Sequence, residues 1–391
     1  MNKLRLLYIL TSGTIISPNN WPWIKLFYQT DNFEIAVLVR NSKGKIKEDL
    51  LASIPGYYQI IYFPGEDEIK KYSIAGRVSL IRKTAQRIKN FNPDIIHVHG
   101  CYYTYLVKPV FLLPKNIRLI FNVWGNDFNH LYKNRLKSRI IMNYLFKRAE
   151  LIWANWYSME EDLKHQFPHY KNKIKTILWG IEDKYFVRSS QHTREKLINH
   201  FNLKNSTYLL LYVKGLAESN NQLNLVKSLA YLDRDLDYKL IIQFHRDNPE
   251  IRRKIEQIIQ SQNLQSKVIL SNCYFEEEEL KALIELADLS FSIPSQDQLS
   301  RTVFEIILSD TNLIVSDIDP YRQLNRRMGI NLDFVNEKNP KDIAEKIRYY
   351  VENKPVSDWS ETKKIIQASY HFNNRKDVFI NEYQSIHNKI N

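Results

Sequence analysis

The first half of the chain alternates apolar runs with stretches of helical spacing. Apolar positions recur every three or four residues over 73–90, which predicts a helix that ends before Pro93. The apolar runs predict strands at residues 4–10, 33–40, 57–63, 94–100, 117–125, 151–155 and 173–180. Further helices are predicted around 21–29 and at 136–149 and 159–167. This alternation predicts a parallel sheet with helices on both faces.

The second half repeats the pattern. Its predicted strands lie at residues 207–215, 238–245, 267–271, 289–294 and 312–317, and its helices at 221–231, 249–262, 275–287, 302–308 and 342–352. The sequence therefore predicts an α/β fold of two doubly wound, Rossmann-like domains facing a cleft, where ligands bind beyond the carboxyl ends of the strands. The predicted boundaries are an N-terminal domain at 1–184, a polar linker at 185–205, a C-terminal domain at 206–365 and, at 366–391, a helix packing back on the first domain.

Charge and tryptophan are concentrated in the first half. Up to Lys184 the chain has 28 Lys and Arg against 15 Asp and Glu, whereas from Tyr185 onward the count is 28 against 28. Six of the seven tryptophans also precede Lys184. A basic, aromatic-rich domain predicts contact with an anionic partner: a nucleic acid, an anionic membrane surface, or an acidic or phosphorylated substrate. The alternative is a basic surface that serves solubility alone.

Two cysteines in 391 residues, without a CxxC motif, exclude a disulfide-built scaffold and a cysteine zinc site. No window offers about 20 uncharged apolar residues, so no membrane span is predicted. We therefore expect a cytoplasmic protein. Nucleic-acid binding is disfavoured because no helix-turn-helix, RRM or zinc-finger pattern is present.

Polar residues follow the predicted strands of the first domain. Gly13 lies in a small polar loop that allows a substrate to approach the backbone closely. His97 and His99 are two residues apart and share one face of a strand, where they are either functional or packed in the core. A metal pair is disfavoured because the spacing suggests no third ligand. Asp127 provides a carboxylate at the end of the next strand, or else it caps the turn that follows.

The second domain carries the strongest pattern, between Ser292 and Asp317. A strand ends at Pro294, a polar loop follows, and a helix is predicted from Thr302. The N-terminus of that helix suits a phosphate, because its N–H groups have no partner within the helix. Asp297 and Glu305, separated by seven residues, are carboxylates suited to hydroxyl groups.

With these motifs the chain resembles the retaining glycosyltransferases of the GT-B fold, of the family-4 type that uses nucleotide sugars. The matching segments occur in the family's order over nearly the whole chain, at 93–100, 124–127, 179–186, 212–229, 280–305 and 315–324. The resemblance implies an enzyme that moves a sugar from a nucleotide-sugar donor, bound by the second domain, to a glycan or lipid-linked acceptor in cell-surface polysaccharide or lipopolysaccharide assembly. It implies retention. We expect no metal or resident cofactor, because the predicted site is basic and the sequence shows no cluster of metal ligands.

The resemblance also implies site residues. Asp297 would bind the donor sugar and Glu305 the nucleotide ribose, and the predicted catalytic set adds Asp127 and His99. The family's Arg and Lys for the donor diphosphate correspond here to Gly215 and Asn220, so other cations are needed. The predicted donor-binding residues are Gly13, Lys214, Arg246, Ser295, Leu299, Ser300, Arg301 and Thr302.

The missing Arg and Lys leave one alternative open, a GT-B-like protein that binds nucleotides or glycans without turnover. For the basic half we expect docking of a peripheral protein on the cytoplasmic face of an anionic membrane. The residues predicted for the acceptor and the membrane are Trp21, Trp23, Tyr102, Lys133, Arg135, Lys137 and Arg139. The rival explanations are an acidic soluble acceptor and simple solvation.

Overall fold

The computed structural model describes residues 3–11, 24, 32–40, 58–204 and 206–388. Gly13, Trp21, Trp23 and the helix predicted around 21–29 lie outside these residues. The chain forms two compact units, one of Met1–Gly180 with Asn373–Asn391 and one of Ile181–Phe372.

The first unit contains a seven-stranded parallel sheet in the order β3-β2-β1-β4-β5-β6-β7. Its strands are β1 (Leu4–Leu10), β2 (Phe33–Arg40), β3 (Tyr58–Phe63), β4 (Ile95–His99), β5 (Arg118–Val123), β6 (Leu151–Ala154) and β7 (Ile174–Thr176). The central strands are buried along almost their whole length, which explains why they are apolar runs in the sequence. The last strand is shorter than predicted, and the carbonyl of Leu178 accepts a hydrogen bond from Arg375 Nε at 3.1 Å.

Helices and turns connect these strands. The described helices are α1 (Glu66–Lys70), α2 (Ile74–Phe91), α3 (Thr104–Val107), α4 (Leu136–Arg148) and α5 (Tyr157–Gln166), with a π-helical turn at Asp127–Tyr132 and 3₁₀ turns at Lys108–Leu112 and Pro168–Lys173. Helix α2 begins where the Ser73 side chain accepts from the Gly76 N–H, and it ends where Asn92 adopts the left-handed conformation (φ 51°).

The two faces of the first sheet differ in chemistry. Leu7, Ile9 and Val98 belong to the apolar core on one face. On the other face, the Tyr383 hydroxyl lies 3.1 Å from the Tyr8 hydroxyl and 2.5 Å from His97 Nδ1. Tyr383 belongs to the C-terminal helix α14 (Phe372–Asn388), which therefore covers a polar and aromatic face of the sheet.

The second unit contains a six-stranded parallel sheet in the order β10-β9-β8-β11-β12-β13. Its strands are β8 (Tyr208–Val213), β9 (Tyr238–Gln243), β10 (Val268–Ser271), β11 (Leu289–Ser292), β12 (Asn312–Ser316) and β13 (Asp333–Val335). The helices are α6 (Gln191–Phe201), α7 (Gln222–Ser228), α8 (Pro249–Ser261), α9 (Glu277–Leu286), α10 (Arg301–Leu308), α11 (Asp319–Met328), α12 (Pro340–Asn353) and α13 (Ser360–Tyr370). Short 3₁₀ turns lie at Asp183–Tyr185, Glu218–Asn220 and Leu229–Tyr231. The predicted pair of Rossmann-like α/β domains is confirmed.

The predicted linker at 185–205 is not a linker: most of it forms helix α6. Ser190 caps the helix by accepting from the Thr193 N–H, and Leu197 and Phe201 are buried. The helix is tied to α9 by ion pairs, one of which joins Lys196 Nζ to Glu279 Oε1 at 2.6 Å. The partners on α9 are about 80 to 90 residues away in the sequence. In the sequence, the polar residues of this segment therefore could not be distinguished from those of a solvated linker.

Among the helices that the structure describes, none combines the length and the apolar character that crossing a membrane requires.

Candidate active site

The predicted donor residues of the second unit lie at the carboxyl edge of its sheet. Strand β8 ends at Val213 and is followed by Lys214 and Gly215, and Arg246 lies beyond the end of β9. Strand β11 leads through residues 293–300 into helix α10. Since β8 pairs with both β9 and β11 in parallel, these segments emerge at the same edge.

Asp297 lies in this loop within a network of donors. Its Oδ2 accepts from Lys214 Nζ at 2.8 Å and from the Tyr321 hydroxyl at 2.7 Å, and its Oδ1 accepts from the backbone N–H of Gln298 at 2.8 Å. Burial raises the pKa of Asp297, but the charge and hydrogen bonds of Lys214, with the other two donors, bring this pKa below its ordinary value. Asp297 is therefore ionised and fixed. Since Tyr321 donates its proton to Asp297, Ser292 Oγ, 2.7 Å from the Tyr321 hydroxyl, is the donor in that contact.

Glu305 lies in helix α10 and is also held by a cation. Arg301 Nε donates to Glu305 Oε1 at 2.7 Å, one helical turn away, and Arg301 Nη2 donates to the Tyr185 hydroxyl at 2.8 Å. Glu305 is 6% exposed, so only a small part of its side chain is accessible. Burial lowers the pKa of Arg301, but the charge of Glu305 more than offsets it, and the guanidinium stays charged.

The start of helix α10 is built from an unusual loop. Leu299 is buried and has a left-handed backbone (φ 65°), which few non-glycine residues adopt. The Ser300 side chain precedes the helix without capping it, and Thr302 is half-buried in the first turn. Ser295 is anchored through its Oγ, which accepts from Asn221 Nδ2 at 2.9 Å. The loop thus presents the N-terminal N–H groups of α10, which favour an anion.

Gly215 and Arg246 occupy neighbouring positions at this edge. A Cβ at residue 215 would lie 2.9 Å from the Cβ of Arg246, closer than side chains approach one another. The backbone carbonyl of Arg246 also accepts from the Leu216 N–H at 2.9 Å. The Arg246 side chain is exposed and forms no ion pair with the residues that the structure describes. Arg246 thus fills the space that a side chain at residue 215 would need.

Asp127, predicted as a catalytic carboxylate, is instead fully buried in the first unit. Its two oxygens accept from the backbone N–H groups of Trp124, Gly125, Phe128 and Cys101, at 2.9–3.1 Å. Burial raises the pKa of Asp127 to about 6, although the four hydrogen bonds lower this pKa and offset part of the effect of burial. The carboxylate therefore holds the β4 and β5 loops together, in agreement with the turn-capping alternative.

His99, the other catalytic residue predicted in this unit, is also in the core. It is fully buried, its ring lies 4.0 Å from that of His97, and burial lowers its pKa to about 3. A neutral, inaccessible imidazole is not placed to contact a substrate.

Tyr102 is half-buried, and its backbone N–H donates to Thr11 Oγ1 at 3.1 Å. The predicted membrane cations Lys133, Arg135, Lys137 and Arg139 are all exposed.

The sequence did not reveal three residues of this network: Tyr185, Tyr321 and Asn221. Tyr321 and Tyr185 are buried and hold Asp297 and Arg301, respectively. Asn221 has a left-handed backbone (φ 58°) and a side chain that binds both the carbonyl of Ile293 and Ser295. The Asn-Asn pair before the helix is a sequence signal for such a turn.

Across the described ranges, no three His, Cys, Asp or Glu side chains are grouped in a way that would hold a metal ion.

Comparison with known families identifies the class of protein. The family model described as Glycosyltransferase Family 4 matches residues 28–185, and that described as Glycosyl transferases group 1 matches residues 193–372. The chain belongs to the glycosyltransferases of the GT-B fold and the family-4 type, which confirms the resemblance drawn from the motifs. No curated protein matches the chain by sequence.

Solved structures share the fold over nearly the whole chain. Alr3699/HepE of Anabaena, solved with UDP and glucose, has 14% identity and a TM-score of 0.76, covering 98% of this chain and 100% of its own. A glycosyltransferase of Rickettsia africae has 15% identity and a TM-score of 0.73, with 99% of each chain covered. Sucrose-phosphate synthase of Thermosynechococcus elongatus has 13% identity and a TM-score of 0.75, covering 98% of this chain and 99% of its own. At these identities the likeness establishes the fold.

Proposed function

We propose that this glycosyltransferase transfers a sugar from a nucleotide-sugar donor, bound by the second unit, to a glycan or lipid-linked acceptor bound by the first. The reaction is proposed to retain the anomeric configuration, to need no metal, and to serve cell-surface polysaccharide or lipopolysaccharide assembly. The observation that carries the proposal is the pair of carboxylates, Asp297 and Glu305, fixed beside the N-terminus of α10. The UDP complexes of HepE support a nucleotide donor.

In this proposal, each part of the donor has a matching group. The N–H groups at the start of α10 neutralise the diphosphate leaving group as the glycosidic bond breaks, because negative charge accumulates on it in the transition state. Glu305 accepts hydrogen bonds from the ribose hydroxyls, and Asp297 from those of the donor sugar. Both carboxylates are hydrogen-bond acceptors held in one orientation, which reduces the entropy lost on binding.

The roles of Lys214 and Arg301 change from those predicted. Each was expected to bind the diphosphate, but Lys214 contacts Asp297 and Arg301 contacts Glu305. We assign both as positioning residues that hold the carboxylates in their orientation. Arg246 then becomes the cation available to the diphosphate, since it is exposed at the same sheet edge.

The proposed function is tested with the purified chain and a panel of nucleotide sugars. We expect binding of one nucleoside diphosphate in calorimetry, and release of that diphosphate from its sugar conjugate in the presence of acceptor. A metal chelator should leave the rate unchanged. Binding without release would favour the non-catalytic alternative. Failure to bind any nucleoside diphosphate would contradict the proposal.

Arg246→Gly is expected to weaken nucleoside diphosphate binding about ten- to hundred-fold, because one charge-assisted contact is worth about 1.5–3 kcal/mol. Binding of the nucleoside without phosphates should not change. Gly215→Arg combined with Arg246→Gly should restore affinity, since the new side chain then has room. Arg253→Ala, an exposed arginine on α8, is the control. Equal diphosphate affinity for Arg246→Gly and the parent would refute this assignment.

The proposed setting is the cytoplasmic face of an anionic membrane, with the protein bound peripherally. Its support is the excess of cations in the first half, which would bring the enzyme to a lipid-linked acceptor. A soluble acidic acceptor is the competing explanation for these cations.

A further inference from the structure

Helix α4 (Leu136–Arg148) of the first unit has apolar residues on two opposite faces. Met142, Leu145 and Phe146 are buried in the core of the unit. In contrast, Leu136 is 69% exposed and Ile140 is 58% exposed, one helical turn apart. A surface helix normally needs only one apolar face, so the outward pair contributes little to the core formed by the described residues.

The outward apolar residues continue beyond the helix. Tyr144 follows Ile140 at the next turn, and its ring stacks on Phe111 with 3.9 Å between centroids and 16° between planes. Phe111 and Leu112 are 39% and 45% exposed, and the segment is anchored to α4 by Arg148, which donates to the carbonyl of Val110 at 2.7 Å. We call Leu136, Ile140, Tyr144, Phe111 and Leu112 the α4 ridge.

The chain segment that contains α4 carries charges of one sign. Residues 128–149 contain six Lys and Arg and no Asp or Glu. The exposed cations there are Lys133, Arg135, Lys137, Arg139 and Lys147, and none of them forms an ion pair with a described residue. Arg139 donates only to the backbone carbonyls of Tyr132 and Lys133 among the described residues. These cations are therefore available to an anionic partner.

We propose that the α4 ridge docks on an anionic lipid bilayer, with α4 lying in the plane of the interface. Leu136 and Ile140 insert between the lipid headgroups, and the flanking cations contact lipid phosphates. A bilayer is the partner that satisfies both features at once, because an exposed apolar line bordered by cations matches the acyl boundary below a layer of anionic headgroups. The inference rests on the proposed function at a membrane, and it adds the α4 ridge as an apolar anchor.

Flotation of the full chain with vesicles tests the inference. The protein should float with vesicles of phosphatidylcholine and phosphatidylglycerol but not with phosphatidylcholine alone, and flotation should fall as salt rises. Neutralising Lys133, Arg135, Lys137 and Arg139 should lower the partition coefficient about five-fold for each cation. Leu136→Ser with Ile140→Ser, which keeps the charge, should lower it about ten-fold or more.

Matched variants on the second unit are the controls. Val356→Ser removes an apolar side chain that is 87% exposed, and neutralising Arg253, Lys254, Arg326 and Arg327 removes as many cations. Neither should change flotation.

The inference would be overturned if the parent protein did not float with anionic vesicles at low salt. It would also be overturned if flotation were lost in the cation variant but not in Leu136→Ser with Ile140→Ser. A third contrary result would be self-association of the parent in light scattering that the two serine substitutions abolish, because the α4 ridge would then bind a second copy of the chain. Nucleoside diphosphate affinity, measured without vesicles, tests the proposed function separately.

Discussion

Replacing Glu305 by alanine is expected to weaken nucleoside diphosphate binding about ten- to hundred-fold, or about 1.5–3 kcal/mol, because the ribose loses a charged acceptor. Binding of the nucleoside without phosphates should weaken equally, whereas Arg246→Gly is expected to leave nucleoside binding unchanged. The free energy of unfolding should also fall, by about 3 kcal/mol, because the substitution removes the nearest carboxylate from the largely buried Arg301 guanidinium. Calorimetry and denaturant unfolding measure the two effects.

Two further variants separate these contributions. Glu305→Gln keeps the size of the side chain. It should lower the free energy of unfolding less than Glu305→Ala does, while nucleoside diphosphate affinity still falls. Glu250→Ala removes an exposed glutamate from the first turn of α8 and should cost little stability and no affinity. Unchanged nucleotide affinity in Glu305→Ala would show that Glu305 serves only the helix.

Lys214→Met is expected to reduce turnover strongly and to lower the free energy of unfolding by about 3 kcal/mol, because Asp297 is left largely buried without its cation. Lys214→Met with Asp297→Asn should recover most of the stability, since no charge remains unpaired, but not the turnover. Turnover close to that of the parent in both variants would contradict a role for Asp297 in donor binding.

The pH dependence of unfolding provides an independent check of this pair. The pKa of Asp297 lies below its ordinary value of 3.8, so the pair contributes stability above that pH and loses it as pH falls through the folded-state value. The difference in stability between the parent and Lys214→Met should therefore be large at neutral pH and narrow in acid. A difference that is constant with pH would mean that Lys214 stabilises the unit by packing alone.

The fold class could be predicted because parallel strands buried on both faces are continuous apolar runs, as in β1 and β12. The prediction failed where a segment is stabilised by distant partners. Helix α6 has a cap at Ser190 and buried residues at Leu197 and Phe201, but its polar surface is held by carboxylates of α9. From sequence alone such a surface resembles a solvated linker.

The site divides in the same way. The seven-residue spacing of Asp297 and Glu305 was sufficient to predict two carboxylates around the start of a helix. Their partners were not predictable, because Lys214 lies 83 residues from Asp297 and Tyr185 lies 116 residues from Arg301. The position of Asp127 after a predicted strand also could not show whether its carboxylate oxygens face a ligand or backbone N–H groups.

By itself, the sequence determined most of the order of strands and helices, the position of the two carboxylates around the start of α10 and the basic character of the first half, because each depends on residues close together in the chain or on composition. Only the tertiary structure decided that Lys214 and Arg301 pair with those carboxylates, that Asp127 and His99 are buried, and that Leu136 and Ile140 face outward. The physical reason is that burial and ion pairing depend on which distant segments meet, and the charge, pKa and accessibility of a side chain follow from those contacts.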